Sequence, residues 1–101
     1  MTYAWIITQD HLLTHVERPD RYDSEAGTMG PRGTKFHRKQ ILKHPKKEVF
    51  KMYDDDDILY YTGQIAGDDF TGFEPLDDFG MPNAGCTSIK YKNKTGQWET
   101  L

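Results

Sequence analysis

A chain of 101 residues with 16 acidic and 13 basic side chains, a net charge of −3 and 36% apolar residues is sized for one domain, residues 1–101. Its single cysteine, Cys86, excludes an internal disulfide, and no apolar run approaches the ~20 residues of a membrane span. Two Trp, six Tyr and five Phe offset the low apolar fraction with a thin, aromatic-rich core.

Tyr3 to Thr8 is apolar and β-branched and predicts a strand with Tyr3, Trp5 and Ile7 on one face. The residues before and within it have neither the basic nor the long apolar region of a secretory leader. With the lone thiol, this points to a reducing cytoplasm. Gln9 to Val16 reads as a helical turn or a loop. Arg18 to Glu25 reads as an irregular, locally mobile connection. Gly27 to Gly33 is a turn with three glycines and a proline. Thr34 is a candidate N-cap and Pro45 a candidate stop, which predicts a short helix over Lys35 to His44 resting on Ile41 and Leu42, with Phe36 off that face.

Glu48 to Tyr53 and Ile58 to Ile65 predict a β-hairpin around Asp54 to Asp57, with Phe50 and Met52 alternating onto one face. A long irregular stretch follows to Gly85, anchored by Phe70, Phe73, Leu76, Phe79 and Met81. Cys86 to Lys92 predicts another strand, and Gln97 to Leu101 closes a last hairpin with Trp98 inward. The expected fold is α+β: a single antiparallel sheet of about 4–5 strands, with one short helix packed on one face.

The net charge hides two opposed segments. Arg32 to Lys51 carries eight basic residues against one acid; Asp54 to Asp78 carries nine acids and no base. Such a layout suits recognition of a charged partner. The candidate binding residues on the basic side are Lys35, Arg38, Lys39 and Lys43, spaced three to four apart within the stretch 35–47. On the acidic side they are Asp54, Asp55, Asp56, Asp57, Asp68 and Asp69, with Phe70 and Phe73 as aromatic anchors.

The remaining groups do not form a recognisable centre. Four consecutive aspartates lack the spaced oxygens and glycine of a calcium loop, and read as a solvated hairpin tip. Asp77 and Asp78 are adjacent loop carboxylates, without the contrasting environments of an acid/base pair. His11, His15, His37 and His44 with one thiol make no zinc pattern. Cys86 opens an apolar strand and reads as a buried thiol. Gly27 to Gly33 lacks the spacing of a phosphate loop. No catalytic residue, metal or cofactor is expected.

Several stretches carry a resemblance: Tyr3 to His11, Gly27 to Arg32, Phe50 to Asp56 and Phe73 to Thr87. Together they resemble small accessory proteins of this length borne by phages, prophages and plasmids. That resemblance implies the cytoplasm of a bacterial host, and a non-enzymatic protein that binds and blocks a host defence complex, as anti-CRISPR and anti-restriction inhibitors do. The partner would be a host protein or ribonucleoprotein, bound by a monomer or dimer. The alternative expectation is a small nucleic-acid-binding protein that uses the basic helix.

Overall fold

A computed structural model describes residues 2–14 and 23–101. His15 and the 18–22 part of the expected irregular connection lie outside the described residues. Strands β1 (Tyr3–Asp10), β2 (Met29–Gly30), β3 (Glu48–Tyr53), β4 (Leu59–Gly67), β5 (Ser88–Lys92) and β6 (Trp98–Thr100) form one antiparallel sheet in the order β2-β1-β4-β3-β5-β6. Helices α1 (Arg38–Leu42) and α2 (Met81–Ala84) are both short. The α+β class and the single antiparallel sheet agree with the sequence. Six strands replace the expected four to five, because the glycine-rich turn contributes β2, whose Gly30 pairs with Trp5. A two-residue strand has no periodicity to read.

Alternation along the strands sorts side chains onto two faces. Trp5, Ile7, Phe50, Met52, Tyr61, Ile65 and Ile89 point one way and pack with Leu76, Phe79 and Cys86. Ala4, Ile6 and Ala66 point the other way and pack under Ile41 of α1. The sheet is therefore covered on both faces, not on one. The larger core lies beneath residues 68–87, away from the predicted helix. This cover is helical where an irregular stretch was expected: a π-helical turn, Leu76–Gly80, runs into α2. Of its five expected anchors, Leu76 and Phe79 are buried. Phe70 is half-buried with its ring edge-on to Tyr3, centroids 6.4 Å apart. Phe73 and Met81 are 41% and 49% exposed, so they lie outside the buried core.

The helix α1 is shorter than the predicted span. Its N-cap is His37, whose N–H donates to the Gln40 side-chain oxygen at 2.6 Å. Thr34 instead accepts the Phe36 N–H in a local turn. Lys35 and Phe36 precede the helix, and Phe36 packs beside Ile41; an extended backbone lets it reach the face that a helical phase would deny it. Lys43 is the C-cap, and the Lys47 ammonium donates to the Leu42 carbonyl at 2.5 Å, closing the helix with positive charge at its C-terminal end.

Candidate functional site

The two charged segments are consecutive in the chain, but most of the basic one and the 68–78 part of the acidic one fall on opposite sides of the sheet, while Arg32 lines a cleft with Asp78. Lys35, Arg38, Lys39 and Lys43 are all exposed on the α1 side. Asp68, Asp69, Asp77 and Asp78 are exposed on or beside the cover over the opposite face. The packed strands stand between them. Residues 54–57 project from the far end of β3, roughly 20 Å along the strand from the α1 connection.

That tip is a built turn. The Asp54 carboxylate accepts the N–H groups of Asp56 (2.8 Å) and Ile58 (2.9 Å). Asp57 occupies the left-handed region at φ 59°, which Asp tolerates better than most residues. Asp55, Asp56 and Asp57 are exposed. Asp68 and Asp69 close the end of β4: the Thr2 hydroxyl donates to the Asp68 carbonyl at 2.9 Å. No group of three or more His, Cys, Asp or Glu able to hold a metal ion occurs among the described residues.

Glu74 is tied into the fold by three donors. Its carboxylate accepts the N–H groups of Thr71 and Gly72, both at 2.8 Å, and the Thr71 hydroxyl at 3.1 Å. The Thr71 oxygen in turn accepts the Phe73 N–H. The Thr71 and Glu74 side chains together fix the turn that leads into the helical cover. Burial alone would raise the Glu74 carboxyl, but these donors outweigh it and hold it below its usual value of 4.5. A carboxyl with a lowered folded value stabilises above its unfolded value, and the contribution fades as pH falls through the folded one. Glu74→Gln is expected to cost about 1 kcal/mol at pH 7. Urea melts of the two proteins should converge as pH falls through the lowered Glu74 value.

The groups that might have formed a catalytic centre are dispersed. Cys86 is fully buried in the cover-side core, and burial, then the Asp54 charge, push its thiol up to about 12. It supplies no thiolate near neutral pH. His11 follows β1 and meets the Thr62 hydroxyl at 2.9 Å. Thr62 pairs with Lys51, which places it on the face away from Cys86. Asp77 is exposed on the π-helical turn.

The α1 side holds more than the sequence suggested. Helix α1 packs mainly on β1 and β4. The same face continues over β3, β5 and β6 with Val49, Lys51, Tyr53, Ser88, Lys90, Lys92, Trp98 and Thr100, none of them buried. Trp98 does not point into the core, as expected, but lies half-buried on this open face, with the Lys51 ammonium 4.3 Å from its ring centroid. The Lys90 ammonium lies 4.7 Å from the Tyr53 ring centroid. At the margin, Lys46, Lys47, Lys92 and Lys94 surround a cleft of about 520 Å³, floored by Pro45 and Val49 and edged by Glu48. The open half-sheet thus extends the basic surface of the α1 region. Its sequence signal was the off-phase set of the strands, Lys51 and Tyr53 in β3 and Lys90 and Lys92 in β5.

No helix among the described residues is long and apolar enough to cross a membrane. Comparison with protein-family models, curated proteins and solved structures finds no match for this chain.

Proposed function

We propose that this protein is a non-enzymatic binding module whose basic face docks a polyanion, with nucleic acid as the partner class. The observation that carries this reading is the separation of charge by the sheet. An acidic segment next to a basic one in sequence would repel a phosphate backbone if both lay on one surface. Here the strands stand between α1 and the 68–87 cover. Lysines from α1, the 43–47 connection and two strands, β3 and β5, then form one surface, whose chemistry is that of phosphate contact.

A salt titration of oligonucleotide binding tests the reading. Affinity should fall steeply with salt, by about 0.7–0.9 log units per log unit of salt for each phosphate contacted. Replacing Lys35, Arg38, Lys39 and Lys43 with Ser should flatten the slope by roughly three. Replacing Asp54, Asp55, Asp56 and Asp57 with Ser should leave it unchanged or strengthen binding. A quadruple variant that binds with the wild-type slope would take the α1 region out of the contact surface; a wild-type affinity that does not respond to salt would remove nucleic acid as the partner.

A second reading is favoured by the opposite face. Phe73 and Met81 stand exposed among Asp68, Asp69, Asp77 and Asp78, an apolar anchor within an acidic field. This arrangement fits a Lys- and Arg-lined channel of a host protein or ribonucleoprotein, the mode expected of a mobile-element inhibitor of a defence complex. Affinity capture from a bacterial lysate with wild type and with Phe73→Ala/Asp68→Ser/Asp69→Ser distinguishes it. A partner retained equally by both would place docking elsewhere.

A further inference from the structure

We infer that the open half of the sheet is a platform for single-stranded nucleic acid, with Tyr53 and Trp98 stacking against two bases and Lys51, Lys90 and Lys92 meeting the phosphates between them. The inference rests on the polyanion reading above and specifies the form of the strand. Two independent features of the face support it.

The first is a like-charge pairing across the strands. Lys51 and Lys90 stand directly opposite one another on β3 and β5, a placement that destabilises a sheet. Among the described residues, Asp57 acts on Tyr53 from the hairpin tip, and no strand acid shares the face. By register, Glu48 belongs with Phe50 and Met52 on the cover side, and Glu99 pairs with Tyr91 there. Each ammonium instead settles on an aromatic ring, Lys51 on Trp98 and Lys90 on Tyr53. An anionic strand would relieve this repulsion and free the ring faces.

The second is the spacing. Tyr53 pairs with Ser88 and Trp98 with Lys92, so the rings lie four residues apart along β5 and two strands apart across the sheet. That is a diagonal of roughly 16 Å. The paired lysines Lys51 and Lys90 lie between, giving a row of ring, two cations, ring. Bases stacked in a duplex are only ~3.4 Å apart and hide their faces from protein. Two rings so far apart can each take a base only from a strand that is unpaired and splayed. The flat half-sheet has no projecting element to enter a duplex groove; α1, with five residues, is shorter than a recognition helix and lies beside it.

The test uses the full chain with three probes: oligo(dT) of about 12 nucleotides, a duplex of equal length, and inorganic polyphosphate of similar charge. The expected result is at least about tenfold tighter binding of oligo(dT) than of the other two. Trp98 is the solvent-reachable indole, because Trp5 is 3% exposed, so fluorescence should be quenched by oligo(dT), and the quench should vanish in Trp98→Phe while binding persists. Tyr53→Ala/Trp98→Ala should lose the single-strand preference and keep the wild-type salt slope. Tyr53→Phe/Trp98→Phe, which keeps both rings, should retain the preference. Equal affinity for duplex and single strand, or a preference that survives loss of both rings, overturns the platform and leaves the polyanion reading standing. No binding of any probe at low salt overturns both.

Discussion

Gly63→Ala is expected to destabilise the fold by about 3 kcal/mol or more, although it adds a single methyl group. Gly63 sits in β4, buried between Ile7 of β1 and Phe50 of β3 in register. A Cβ there would overlap the Ile6 carbonyl oxygen and the Phe50 ring. The ring could turn aside at the cost of its packing in the core; the carbonyl belongs to the β1–β4 ladder and could move only by parting the two central strands. The aromatic residue fills the space that glycine leaves across the strand, a known device for offsetting glycine in a sheet. At ~4–8 °C per kcal/mol for a domain of this size, the melting temperature should drop by at least about 12 °C. Gly33→Ala is the control. Its φ is +84° with no atom within 4 Å of a Cβ, so it should cost only the backbone term, about 1–2 kcal/mol. Phe50→Leu combined with Gly63→Ala should restore part of the loss, since it relieves the ring overlap and not the backbone one. Full restoration would mean that the carbonyl contact is unimportant.

The sheet was legible because its signal is local. Phe50 and Met52 against Lys51 and Tyr53 is a period of two within six residues, and β3 formed where that pattern stands. The failures have physical causes too. The start of α1 was misplaced because Thr34 offers a hydroxyl that caps a turn as well as a helix, whereas the cap used pairs the His37 N–H with Gln40. The helical cover is hidden in the sequence because Gly72, Pro75, Gly80 and Pro82, with the Asp residues among them, read as loop. From the sequence, Trp98 reads as inward because a large aromatic residue in a terminal strand is more often core. Its true place depends on β6 pairing beyond β5, on the side of the sheet that α1 does not reach. The candidate face was hidden for the same reason. Lys51, Lys90 and Trp98 belong to three separate strands, and only the order β3-β5-β6 makes them neighbours. The charge segments were plain in the sequence, but their placement on opposite sides of a sheet needs the long-range packing of Ile41 and Phe79.

Phe79→Ala should separate the two halves of the molecule. The Phe79 ring lies 5.0 Å from Tyr61 and 5.6 Å from Trp5, centroid to centroid, and with Leu76 it is what the π-helical turn buries in the core. Its removal is expected to cost about 3–5 kcal/mol, a large share of the ~5–15 kcal/mol of a typical domain. The loss falls on the cover first. The hydrogen bond from the Trp5 indole to the Asp78 carboxylate, at 3.2 Å, depends on the same turn, and so does the lid over Cys86. Thiol labelling therefore reads the opening: Cys86, fully buried in the wild type, should label at a rate set by local opening in Phe79→Ala. Phe79→Leu, which keeps most of the buried area, should stay protected. On the other face, Ile41 still packs on Ala4, Ile6 and Ala66, and the lysines of β3 and β5 keep their strands. Oligonucleotide affinity of the folded fraction should then remain near wild type while the cover loosens. A variant that loses binding and gains thiol reactivity together would show that the two faces act as one cooperative unit, and that the basic surface needs the acidic cover to hold its shape.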